Sequence, residues 1–282
     1  MPPDLPAPDL APPRYRLLPH RREAAAERRR LARELAQATE RQRFVLHFQP
    51  RADLATGQAV GAEAVLRWPH RRRGLMAQSA LVALAEPHGL MPPIGAWALR
   101  TACAAARGWP PAWTVALRLA PSQIDATTLL GQVGTALEES GLPAERLELG
   151  LPEAALLATD TELLLALSAL RDLGVTLALD EFGAAHASLG LLRRLPLTAL
   201  KLDRTLLCHL PEDREDAAIL RSAVAAARAL GLTVIADGVE TQAQRALLVA
   251  SGCELGQGEV FGPAVPQASL PGRADGSPAA AR

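Results

Sequence analysis

Three short runs set the frame: VTLALD at 175–180, TALKLD at 198–203 and LTVIAD at 232–237. Each is a near-continuous apolar stretch ending on aspartate, as a strand buried on both faces reads. Working outward, the same kind of run recurs at 44–49 (FVLHFQ), 59–67 (AVGAEAVLR), 114–119 (TVALRL), 146–151 (RLELGL) and 253–257 (CELGQ). Between most of them lie amphipathic segments of helical length, at 77–86, 94–107, 127–140, 160–173, 214–230 and 241–251. Gly174 and Gly231 stand where helix C-caps are expected. Eight strands separated by helices predict an α/β fold, a TIM-like (β/α)8 barrel. An open doubly wound sheet competes, but no Gly-rich phosphate loop follows an early strand.

With 282 residues and 49% hydrophobic content the chain is large enough for one barrel with a sizeable core. Formal charge cancels, 30 Lys+Arg against 30 Asp+Glu, which argues against a broad surface for a nucleic-acid polymer. Cys103, Cys208 and Cys253 are scattered with no C-x-x-C, so neither a disulfide framework nor a zinc site is expected and a reducing cytoplasm is the natural compartment. The opening MPPDLPAP lacks a signal peptide's basic and apolar regions, and no uncharged run reaches the roughly 18 residues of a membrane span. The expected division is a Pro-rich disordered tail (1–20), an exposed basic helix or linker (21–43), a barrel domain (44–266) and a disordered C-terminal tail (267–282). Tail and helix together carry ten arginines against six acidic residues. The chain has one lysine, Lys201, and no asparagine.

Barrel chemistry sits at the carboxyl ends of the strands. There the sequence puts Glu63, Arg118, Glu153, Asp180 with Glu181, Lys201 with Asp203, Asp237 with Glu240, and Gln257. Several carboxylates on one rim repel unless cations stand among them. Such a cluster suits paired Mg2+ or Mn2+ ions that clamp the attacking and leaving oxygens of a phosphodiester.

Five blocks in order carry a resemblance: QPRADLATGQAVGAEAVLRW (49–68), LALDEFGAAHASL (177–189), LPLTALKLDR (195–204), IADGVET (235–241) and GQGEVFG (256–262). They resemble the EAL-domain family, the cyclic di-GMP phosphodiesterases of bacterial signalling, with Glu63-Ala64-Val65 standing at the eponymous Glu-Ala-Leu. The resemblance implies a TIM-like barrel with Glu63, Glu153 and Asp180 as metal ligands and Glu181 as a second-metal ligand that is normally aspartate. It implies Lys201 and Asp237 as catalytic groups, Asp237 replacing the usual glutamate, and Gln49, Arg67, Asp203 and Gln257 as residues that hold the dinucleotide or support its site. The implied partner is cyclic di-GMP, with a homodimer or protein partner also compatible.

The departures from the family pattern are chemical. Its asparagine metal ligand on the third barrel strand becomes Arg118, a permanently charged donor that cannot ligate a divalent ion and instead pairs with carboxylates. The family's D-D-F-G-T-G-Y loop reads Asp180-Glu181-Phe182-Gly183-Ala184-Ala185-His186, while Gly150 and Pro152 replace a glutamate and a threonine. His186 is expected at the loop surface, and Trp68 and Trp97 in core or rim packing. The preferred expectation is a degenerate EAL domain acting as a cyclic di-GMP receptor or interaction module. The alternatives are an active phosphodiesterase producing pGpG with Mg2+ or Mn2+, and a scaffold that binds no ligand.

Overall fold

The computed structural model describes residues 19–157, 159–184 and 189–271, with side chains from residue 26 onward apart from that of Leu189. Its strands are β1 (Val45–Asp53), β2 (Ala59–His70), β3 (Gly74–Met76), β4 (Thr114–Arg118), β5 (Leu147–Pro152), β6 (Thr176–Phe182), β7 (Ala199–Leu202), β8 (Thr233–Asp237), β9 (Leu255–Gln257) and β10 (Val265–Pro266). The helices are α1 (Pro19–Glu40), α2 (Gln78–Ala85), α3 (Met91–Arg107), α4 (Leu129–Ser140), α5 (Glu153–Leu156), α6 (Thr161–Asp172), α7 (Leu189–Arg194), α8 (Arg214–Ala229) and α9 (Gln242–Ser251).

All eight expected strands form, and they close into a barrel in the order β1-β2-β4-β5-β6-β7-β8-β9, with β9 pairing back to β1. Seven run parallel around the barrel, while β1 is antiparallel to both of its neighbours. The β1–β2 connection is a hairpin in place of a crossover helix. Asp53 Oδ1 accepts from the Thr56 N–H at 2.7 Å in its turn, and Gly57 takes φ +75.

Period-two alternation divides each strand between two environments. Leu147, Leu149, Leu151, Leu177, Leu179, Leu200, Leu202, Val234 and Ala236 face outward into the main core against the helices. The opposite parity faces the barrel interior, where Ala178, Ala199 and Ile235 form a small separate cluster. Small side chains there leave room for charged ones at the upper levels. Gly174 (φ +102) and Gly231 (φ +74) follow α6 and α8 in left-handed conformations, as expected of C-caps.

Two boundary expectations change. The helix expected to be exposed is amphipathic, and Leu31, Leu35 and Ala38 of α1 are buried in the main core. Residues 267–271, expected within a disordered tail, hold a 3-10 turn (Gln267–Ser269) and bury Leu270. Residues 1–18 and 272–282 lie outside the described residues, as do Ala185 and His186. Trp68 is buried and Trp97 packs against Phe44 with ring centroids 5.8 Å apart, both as expected. The three cysteines are free; burial pushes the Cys103 and Cys253 thiols up to about 12. Among the described residues no helix is long and apolar enough to cross a membrane.

Candidate functional site

The inward parity brings Arg118, Asp180, Lys201, Asp237 and Gln257 to the upper ends of β4, β6, β7, β8 and β9, and Glu63 joins them from β2. Lys201 lies at the centre. Its Nζ donates to Glu63 Oε2 at 2.5 Å and lies 3.1 Å from Asp237 Oδ2 and 3.9 Å from Asp180 Oδ1. The Gln257 amide donates to Glu63 Oε2 at 2.6 Å and to Asp237 Oδ1 at 3.2 Å.

Arg118 forms the second cationic centre. Its Nη2 is 2.6 Å from Glu181 Oε1 and its Nε is 3.0 Å from Asp180 Oδ2. Neither contact is aligned as a hydrogen bond, so the pairing is Coulombic. Gly150, register partner of Arg118, keeps the space open: a Cβ there would stand 3.0 Å from Asp180 Oδ2. Glu181 holds φ +62, a left-handed conformation costing roughly 1–3 kcal/mol in a non-glycine residue. Its N–H is fixed by Asp180 Oδ1 at 2.8 Å.

Burial works against every charge here, and the partners decide the outcome. Burial alone would raise the Glu63 carboxyl, but Lys201, then Arg51 and the Gln257 bond, bring it down to about 2. Burial would likewise strip the Lys201 proton, yet Asp180, Glu63 and Asp237 outweigh it and hold the ammonium above its ordinary range. For Asp180 burial wins and pushes the carboxyl up, against the pull of Lys201 and Arg118. Arg118 is held charged by Asp180 and Glu181 despite its own desolvation.

Beside this cluster opens a cleft of about 500 Å³, within the range of ligand sites. Gln49, Glu63, Arg118, Glu181, Asp237 and Gln257 line its polar side; Leu66, Val82, Met91 and Leu119 line an apolar wall. Glu153 is buried at the start of α5, between the cleft residues Pro152 and Ala154. Asp203 stands apart, its carboxylate capping the next turn through the Thr205 N–H (2.9 Å) and hydroxyl (2.7 Å). Arg67 does not line the cleft, although it continues the β2 face of Glu63 and Val65 and its buried Nε lacks a hydrogen-bond partner.

Two residues escaped the reading of the sequence. Arg51, 1% exposed, pairs its Nη1 with Glu148 Oε2 at 2.5 Å inside the barrel and reaches Gln257 Oε1 at 3.4 Å. Parity was the available signal. Glu148 shares the inward face of Gly150 and Pro152, Arg51 that of Gln49, and a carboxylate inside a barrel requires a buried cation.

The EAL domain family model matches residues 32–264. The chain is an EAL-domain protein. Its EAL domain is 38% identical over 250 residues to the cyclic di-GMP phosphodiesterase NbdA of Pseudomonas aeruginosa, covering 87% of this chain and 32% of that protein. It is 37% identical over 250 residues to the bifunctional diguanylate cyclase/cyclic di-GMP phosphodiesterase MucR of the same organism, covering 87% and 36%. The chain thus spans about a third of the length of these relatives. Among solved structures, the PaMucR phosphodiesterase in complex with c-di-GMP matches with a TM-score of 0.79 at 37% identity, covering 84% of this chain and 98% of that one.

Proposed function

We propose that this EAL domain is a cytoplasmic cyclic di-GMP receptor in which metal-dependent hydrolysis has been lost. The observation that carries the reading is Arg118 between Asp180 and Glu181, at 3.0 and 2.6 Å. Arginine offers five N–H donors and no lone pair, so it takes up two carboxylates without offering a ligand in return. Lys201 takes up Glu63 and Asp237 in the same way. As arranged, these residues do not fit a pair of divalent ions, and among the described residues no group of three or more His, Cys, Asp or Glu side chains is set to hold one. No reaction step is therefore assigned to a metal.

The cleft still suits a ligand of the relatives' kind. Its apolar wall can cover purine faces, and Arg118 lines the cleft with N–H donors that its two ion pairs do not engage in aligned hydrogen bonds. Gln49 and Gln257 supply polar edges, whereas Arg67, outside the cleft lining, is not assigned a contact with the ligand. Asp203 supports the site through its turn, not by contact with the ligand.

Two measurements on one preparation test the reading. Calorimetry with cyclic di-GMP in EDTA is expected to give saturable binding, and chromatography after incubation with Mg2+ or Mn2+ is expected to show no pGpG. Turnover at an enzymatic rate, abolished by Lys201→Ala, would overturn it in favour of an active phosphodiesterase. No binding under either condition would leave a scaffold.

A further inference from the structure

The β2–β3 hairpin carries a second cleft on the opposite face of β2, against the C-terminal end of α1. It has a volume of about 410 Å³, and its lining includes Arg41, Arg43, Arg71 and Arg72, with Trp68 and His70. Among the described residues none of these four arginines has an ion-pair partner, whereas nearby Arg30 and Arg73 are paired with Glu27 and Glu34. The one carboxylate in that lining, Glu34, is taken up by Arg30 at 3.2 Å and His70 at 2.6 Å, so the four guanidiniums repel one another and a bound anion relieves that repulsion.

The cleft is also built in advance. The His70 side chain is 7% exposed and its Nε2 is 2.6 Å from Glu34 Oε2, which ties the hairpin to α1. Its Nδ1 accepts from the backbone N–H groups of Arg72 and Arg73, both at 3.2 Å, and so shapes the turn that presents the arginines. The ring stands edge-on to Trp68 with centroids 4.8 Å apart, and Trp68 is itself buried. A turn braced on both sides loses little freedom when a ligand arrives.

We infer that this cleft binds a small soluble anion carrying two or more phosphate groups. A single phosphate cannot engage four forks of donors, and planar guanidinium is the side chain best matched to bidentate phosphate contacts. A nucleic-acid polymer needs an extended basic track, which a chain of zero formal net charge does not offer. This site is separate from the cyclic di-GMP cleft: the two share only the strand β2, and neither inference requires the other.

The test is calorimetric titration of the full chain with sodium tripolyphosphate at about 0.15 M salt. The expected dissociation constant is about 0.1 mM or tighter, with sulfate at least about tenfold weaker. Arg41→Gln with Arg72→Gln should weaken tripolyphosphate by about tenfold or more at an unchanged melting temperature, since both side chains are exposed. Arg171→Gln, on α6 and outside the cleft, should change nothing. Equal, weak binding of sulfate and tripolyphosphate that ignores the double substitution would mean an adventitious ion only and would overturn the inference. A single-stranded oligonucleotide that binds more tightly than tripolyphosphate would overturn it as well, by showing a polymer track.

Discussion

Replacing Arg118 with asparagine should bring divalent metal binding into the barrel mouth. A divalent charge about 4 Å from a guanidinium, at an effective dielectric of about 20, is opposed by about 8 kcal/mol. The Arg118 side chain is 31% exposed, so solvent screening is taken to leave about a quarter of that, ~2 kcal/mol. Removing the charge while returning a carbonyl donor is then expected to tighten Mn2+ binding by about thirtyfold. Arg118→Met is the necessary partner experiment, because it removes the cation without adding a ligand and should recover most of the electrostatic gain. Mn2+ titration followed by electron paramagnetic resonance reads the free ion directly and does not depend on turnover. Equal Mn2+ affinity in wild type, Arg118→Asn and Arg118→Met would refute the argument that this side chain stands in the way of the ion.

Three more outcomes are expected. Glu63 is lowered in the fold from 4.5 to about 2, so it adds about 3 kcal/mol of stability that is present above its unfolded value and lost as pH falls through about 2. Acid unfolding of Glu63→Gln should therefore be flatter than that of wild type between these limits. Lys201 is raised in the fold, so its contribution is complete below about pH 10.4 and declines as pH rises further; because it is the chain's sole lysine, 15N-lysine labelling gives one side-chain signal, which should not titrate up to that pH. Leu35→Ala in α1 should cost about 3 kcal/mol in urea unfolding, since the side chain is fully buried; a change within 0.5 kcal/mol or so would restore the view of α1 as a merely solvated helix.

What was legible in the sequence follows from what periodicity encodes. The eight strands and six of the helices could be read because a two-sided buried strand is an unbroken apolar run and its helix an amphipathic one. The rim residues could be read because they end those runs, and Arg118 stood out as a cation inside one. The reversal of β1 could not be read, because a strand's residue pattern is the same in either direction. The available signal was the short Leu54-Ala55-Thr56-Gly57-Gln58 connection between β1 and β2, too brief for a crossover helix, and the reading of the sequence did not use it. The burial of α1 was hidden by its arginines and by apolar residues that are mostly alanine, although Leu31, Leu35 and Ala38 recur at helical spacing. Arg51 was missed because the strand was ended four residues early, at Gln49, which also removed the partner that Glu148 requires. Asp203 was drawn into the site by its place in the K-L-D run, yet with Lys201 facing inward it falls beyond the strand's last residue, where an aspartate caps a turn.

The reversed first strand has an architectural consequence. Val45, at its start, is paired with Arg67 high on β2, while Asp53, at its end, is paired with Leu255 at the foot of β9. The polypeptide therefore comes in over the open end of the barrel and travels down, so α1 sits beside the mouth instead of beneath the floor. Its neighbour α2 supplies Gln78, Ser79 and Val82 to the lip of the ligand cleft. A torque or a shift applied to the incoming helix would reach that lip through one helix–helix contact, without passing through the rigid staves.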